Sequence, residues 1–285
     1  AHTARQMQEN SGPMPPDPSV ATRDRHFSCI SHEGTRPRAP GDRGYAGRVT
    51  DRLDPARLDE LWDFADAAAS ADRFRTEIAS APPVATDELR TQLARALGLA
   101  GRGDDADALL DSIASDDLVV RTRVALERGR RRNSSGHPDE AIPFFEQALE
   151  LAQSAHDDFL AVDALHMLAI ADQAGSAEWA AQGVALAEAS ADPRTHRWLI
   201  ALHNNLGWLH HDAGRYPEAL AEFEAADAAA RAHGSEDQQQ IAQWAIARAL
   251  RSLGRRDEAR AIQERLAVLR PDDVYVTEEL EALKE

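Results

Sequence analysis

The sequence predicts an all-α fold: a solenoid of stacked helical hairpins, wound as a right-handed superhelix, behind a disordered N-terminal segment. Three observations predict it. From about residue 53 onward apolar residues recur at helical spacing, with no run of alternating β-branched residues. A short signature running from glycine to alanine recurs five times, its glycines 35, 39, 39 and 40 residues apart. Hydrophobic residues make up 43% of the 285 but aromatic ones only 5%, so the core must be built mostly from alanine and leucine.

Residues 1–50 hold six of the 14 prolines, five of the 16 glycines and no apolar periodicity. Such a segment buries too little to offset its ordering entropy, and it reads as disordered. The chain opens Ala1-His2, and the repetitive pattern starts only near Val49. The expectation is a natural start close to Val49, with the earlier residues a leader or an over-extended reading frame. His26, Cys29 and His32 recur every three residues, a metal-binding composition, but no rigid frame is expected there to complete a zinc site.

Residues 51–85 read as an N-terminal helix and linker. Leu58, Leu61, Trp62 and Ala65 follow the i, i+3, i+4, i+7 pattern in a helix expected from Pro55 to Ile78, with Asp54 as N-cap and Pro82-Pro83 as its stop. The five signatures are Gly101–Ala106, Gly136–Ala141, Gly175–Ala180, Gly214–Ala219 and Gly254–Ala259. Each lies between two amphipathic stretches, which puts the glycine at a helix C-terminus where a left-handed conformation is needed. The acids that follow complement the dipole of the next helix, and the recurrent alanine marks a close helix–helix approach. The repeats span 86–273, as about 87–120, 122–160, 161–199, 200–239 and 240–273. Residues 274–285 form a capping helix whose outer face, with Glu278, Glu279 and Glu281, is acidic.

These residues resemble the tetratricopeptide repeat (TPR) family. With each glycine at motif position 15, position 20 is alanine in all five copies. Position 8 is Ala94, Gly129, Leu168, Gly207 and Ala247, and position 24 is Leu110, Phe145, Val184, Phe223 and Gln263. The usual period is about 34 residues; spacings of 39–40 are similar to the longer-period bacterial type. Repeat 3 departs most, with Leu168 at the small position and Val184 at the aromatic one. The resemblance implies a module that binds a peptide or partner segment in its concave groove.

Composition limits the function classes. A formal net charge of −17 argues against nucleic acid and against an anionic membrane surface. One cysteine excludes an intrachain disulfide, and Lys284, the only lysine, leaves none for Schiff-base or phosphate-loop chemistry. No Gly-rich phosphate loop, nucleophile elbow or HExxH helix occurs, and no apolar run is long enough to span a membrane. The expectation is a cytoplasmic, non-enzymatic protein with no cofactor and no bound metal. His203 and His210 fall at motif positions 4 and 11, where the family packs aromatic rings, and read as packing residues.

In the family, positions 2, 5, 9 and 12 of the first helix line the groove. Here that stripe includes Arg95 in repeat 1, Arg130 and Asn133 in repeat 2, Asn204, Trp208 and His211 in repeat 4, and Trp244, Arg248 and Arg251 in repeat 5. Arginines concentrated on one stripe of so acidic a body suit a protein or peptide partner, an acidic one. Two alternatives stay open: the arginines pair with acids on neighbouring helices, or the protein is a self-assembling scaffold or a regulatory sensor. The family's carboxylate clamp for chaperone tails is not reproduced: Asn205 matches one place, but Leu165, Ala169, Ile241 and Ala245 stand at the others.

Overall fold

A computed structural model describes residues 52–284. The segment 1–50, with its expected disorder, its His26–Cys29–His32 triplet and the start near Val49, lies outside the described residues. Among the described residues the chain forms thirteen α-helices and no strand. They are α1 (Pro55–Leu61), α2 (Ala67–Ile78), α3 (Pro83–Leu99), α4 (Gly103–Asp111), α5 (Leu118–Ser134), α6 (Pro138–Ala155) and α7 (Asp158–Ala171), then α8 (Ser176–Ala189), α9 (Trp198–Asp212), α10 (Tyr216–His233), α11 (Glu236–Ser252), α12 (Arg256–Leu269) and α13 (Val274–Ala282). Consecutive helices from α2 to α13 pack against one another, which is the signature of a solenoid.

The recurrent alanines explain how closely the hairpins close. Ala106, Ala141, Ala180, Ala219 and Ala259 are each at most 2% exposed. At motif position 8, a Cβ on Gly129 would sit 2.4 Å from the Phe145 ring, and one on Gly207 would sit 2.4 Å from Phe223. The missing side chain is therefore the seat of the aromatic ring from the facing helix. In repeat 3 the sizes are exchanged along the sequence: Leu168 fills the small position and Val184 replaces the ring.

The helix ends follow the sequence signals with two differences. Gly101, Gly136, Gly214 and Gly254 have φ between 72° and 81°, as a left-handed C-cap requires. Gly175 does not, with φ −93°. There α7 has already ended at Asp172, whose carboxylate accepts the backbone N–H of Ala174 and Gly175 and the indole N–H of Trp179. A side chain has replaced the glycine as cap. The second difference is at the N-terminus, where the expected single helix is broken between Leu61 and Ala67. Asp63 accepts the N–H of Ala65 and Asp66, Asp66 caps α2 through Ala69, and Ser70 bonds back to Asp63. These local side-chain bonds offer the backbone partners that a continuous helix would supply, and they win. The Pro82-Pro83 pair stops α2 and also opens α3, with Pro83 in its first turn.

Candidate functional site: the concave face

The break after α1 matters because it turns that helix onto the concave face. Leu58 and Leu61 bury against Leu89 and Leu93 of α3. The Trp62 indole donates to Gln92 at 3.1 Å, and Asp59 pairs with Arg197 at 2.9 Å, 138 residues along the chain. Upstream, Arg52 bonds Glu88 at 3.3 Å and also Asp117. The N-terminal half of the groove is thereby covered, and α1, α3, α5, α7 and the start of α9 enclose a cavity of about 40 Å³.

The sequence-expected residues divide between this chamber and the other half of the face. Arg95 lies in the chamber, its guanidinium 5.7 Å from the Trp62 ring centroid and 5.6 Å from that of Phe64. Arg130 lines it as well, bonded to Glu127 at 2.5 Å and to Asp163. Asn133 stands half-buried in the last turn of α5.

The remaining six belong to α9 and α11. Asn204 is 3% exposed. Trp208 packs at 5.0 Å from Phe223, 5.9 Å from Trp244 and 5.3 Å from His211, forming an aromatic cluster that Tyr275 extends. The Trp244 indole donates to the carbonyl of Tyr275 at 3.2 Å, and His211 bonds the Ser252 hydroxyl at 2.9 Å. Burial holds the His211 imidazole below its ordinary pKa. Arg251 takes both oxygens of Glu279 (2.8 and 3.1 Å), and Arg248 takes one of them at 2.5 Å. Burial pushes the Glu279 carboxyl above the usual carboxylate range, against the pull of Arg251.

Of the acids opposite these arginines, Glu127 and Asp163 were not singled out from the sequence, and Glu279, expected on the acidic outer face of the capping helix, is instead 5% exposed and faces Arg248 and Arg251. A signal was present: Arg130 and Asp163 are 33 residues apart, Arg248 and Glu279 31. That is close to one repeat, the separation at which first helices become neighbours. The histidines found bland partners. His203 bonds Glu222 at 2.7 Å, and buried His166 bonds Asn205 at 3.1 Å. Among the described residues no three His, Cys, Asp or Glu side chains converge as a metal set.

The Tetratricopeptide repeat family model matches residues 122–158, which span α5, α6 and the turn after them. That segment carries a tetratricopeptide repeat, and the fold around it is a TPR-like solenoid. No curated protein matches the sequence significantly. Among solved structures the chain is similar to BtubC (BKLC) from P. vanneervenii, with 18% identity and a TM-score of 0.57 over 75% of this chain and 91% of that one. It is also similar to a Signal Transduction ATPase with Numerous Domains (STAND) protein with a tetratricopeptide repeat sensor from Pyrococcus horikoshii: 12% identity and a TM-score of 0.60 over 80% of this chain and 35% of that one. At these identities the likeness is one of fold. A TPR solenoid is in general a protein-interaction scaffold, and its family is typically non-catalytic. No helix among the described residues is long and apolar enough to cross a membrane.

Proposed function

We propose that this TPR-like solenoid is a non-enzymatic adaptor that holds an acidic or carboxylate-bearing segment of a partner protein along its concave face. The contacts are Trp208, His211, Arg248 and Arg251, with Asn133 half-exposed at the end of α5; Asn204 and Trp244 lie buried beneath them, and Arg95 and Arg130 belong to the covered chamber and take no part. One observation carries the reading: Arg248 and Arg251, one helical turn apart, both grip a single carboxylate, and Arg251 does so through two parallel bonds. In the isolated chain that carboxylate is Glu279 of the capping helix α13. A partner carboxylate competes for the same place, with the partly exposed Trp208, backed by buried Trp244, taking its apolar side chains.

The test is calorimetric titration of a captured acidic partner segment against wild type, an Arg248→Ala/Arg251→Ala double variant and Glu279→Gln. The double variant is expected to lose about 2–5 kcal/mol of binding, the range for removing desolvated partners of a charge. Glu279→Gln is expected to bind more tightly, because the internal competitor is gone. Unchanged affinity in both variants means that the arginines only fasten the cap. A second reading, self-assembly, draws on the exposed Val268, Leu269 and Val274 (82, 61 and 53%) at the C-terminal end. Light scattering that finds a stable oligomer, lost when those residues become polar, supports it instead.

A further inference from the structure

Four arginines line the chamber under α1: Arg95, Arg123, Arg130 and Arg194. The same wall carries three carboxylates, but each has an owner. Glu127 and Asp163 both serve Arg130, and Asp59 serves Arg197. Arg123 has Glu88 only at 3.8 Å, and its Nε is buried without a hydrogen-bond partner. Arg194 lies over the Phe159 ring at 4.4 Å, and its buried Nε also lacks a partner. Arg95 has ring faces for company, and among the described residues no carboxylate stands within 4 Å of either Arg95 or Arg194.

A guanidinium brings five donors and a permanent charge, and ring faces satisfy neither fully. Removing such a group from water without a counter-ion is costly. Burial, reinforced by Arg130, pushes Arg95 down to about 10, with Glu127 and Asp163 offsetting only part of that cost from a distance. Around these nitrogens lies a cavity of about 40 Å³. By the same measure a water needs about 10–15 Å³, so the space suits an ion of about three or four heavy atoms and excludes a peptide chain.

We propose that this chamber is a binding site for a small oxyanion of carboxylate size, held by Arg95 and Arg194 and closed in by α1. The site is separate from the Arg248–Arg251 grip, so either proposal can fail while the other stands. The anion takes the unclaimed guanidinium donors, and the Trp62, Phe64 and Phe159 rings exclude water from around it.

The test uses the full chain at fixed ionic strength, with chloride replaced stepwise by acetate, nitrate or phosphate. Expected is saturable binding of acetate or nitrate by calorimetry and a matching rise in melting temperature, with bulkier phosphate weaker by at least tenfold. Arg95→Met keeps the apolar bulk and removes the charge. It should melt higher than wild type without the anion and bind acetate at least tenfold more weakly. Arg194→Gln, on the connector before α9, should weaken acetate without unfolding the chain, whereas Arg248→Gln/Arg251→Gln should leave it unchanged. The proposal is overturned by acetate and nitrate behaving as chloride does, or by Arg95→Met or Arg194→Gln binding acetate as wild type does. An Arg95→Met variant that melts lower than wild type also overturns it, since Arg95 is then a structural cation already satisfied.

Discussion

The close seat of Phe145 on Gly129 makes a prediction whose sign reverses with background. Gly129→Ala places a methyl 2.4 Å from the fully buried ring. Overpacking of that kind costs about 1–3 kcal/mol, but alanine recovers about 1 kcal/mol of helix propensity, so the net loss is about 0–2 kcal/mol. Phe145→Ala empties the seat and costs about 3–5 kcal/mol. With the ring gone, the methyl at 129 meets open space and only the propensity gain remains. Gly129→Ala should therefore stabilise the Phe145→Ala protein by about 1 kcal/mol. The double-mutant cycle then gives a favourable coupling of about 1–3 kcal/mol. Urea unfolding followed by far-ultraviolet circular dichroism measures all four proteins. Because a solenoid unfolds in pieces, the slope as well as the midpoint must be compared. A Gly129→Ala effect of the same sign in both backgrounds refutes the account of why glycine stands there. Gly207 and Phe223 repeat the geometry and supply a second cycle.

Two further expectations follow from buried polar groups. Burial drives the His166 pKa down to about 4, opposed by Asp163 and assisted by Arg130 and Arg95. The unfolded imidazole protonates near pH 6.5, so between those values the unfolded chain binds the extra proton; stability is full above about 6.5 and falls towards pH 4 by up to about 3 kcal/mol. His166→Gln should flatten that part of the urea-midpoint profile, and an unchanged slope would show the proton going elsewhere. Asp59→Asn cuts the link to Arg197, a half-buried pair, and should cost about 1–3 kcal/mol, between exposed and buried values. Hydrogen exchange should quicken in α1 and leave α9 to α12 unaltered; uniform quickening would mean that α1 holds up the whole superhelix.

What the sequence made legible was whatever repeats. Glycine at each hairpin turn and alanine at each crossing are local steric demands, so their spacing is visible without tertiary knowledge. Gly175 shows the limit, because Asp172 satisfies the same backbone groups by a side-chain route that the spacing does not distinguish. The break in the first helix was obscured in the same way: Leu58, Leu61, Trp62 and Ala65 keep helical period, while Asp63, Asp66 and Ser70 cap a turn between them. The covered half of the groove was out of reach. It depends on Asp59 meeting Arg197, and nothing in either local sequence announces a partner 138 residues away. The arginine stripe was readable as a stripe, but the chain's own acids decide which of its members are already engaged.

That division governs what each half of the concave face can recognise. At Arg248 and Arg251 the competitor is tethered, so Glu279 returns at the high effective concentration of an intramolecular partner, on the order of millimolar or more. A lone anion gains nothing by replacing it, since one carboxylate is exchanged for another. Only a segment that also covers the partly exposed Trp208 and His211 adds buried area of its own, which makes this half a reader of polypeptide. At Arg95 no tethered carboxylate waits among the described residues, and the free guanidinium already carries the cost of burial. There even a minimal anion supplies a charge that the fold leaves out, and the 40 Å³ available rejects anything much larger. The two halves should therefore sort ligands by size. Acetate should occupy the chamber without disturbing Glu279, and an acidic segment should displace Glu279 without entering the chamber. Solution spectra of Trp62 and Trp244, with each other tryptophan replaced by phenylalanine, report the two events separately, and a ligand that moves both signals together would show a single coupled site.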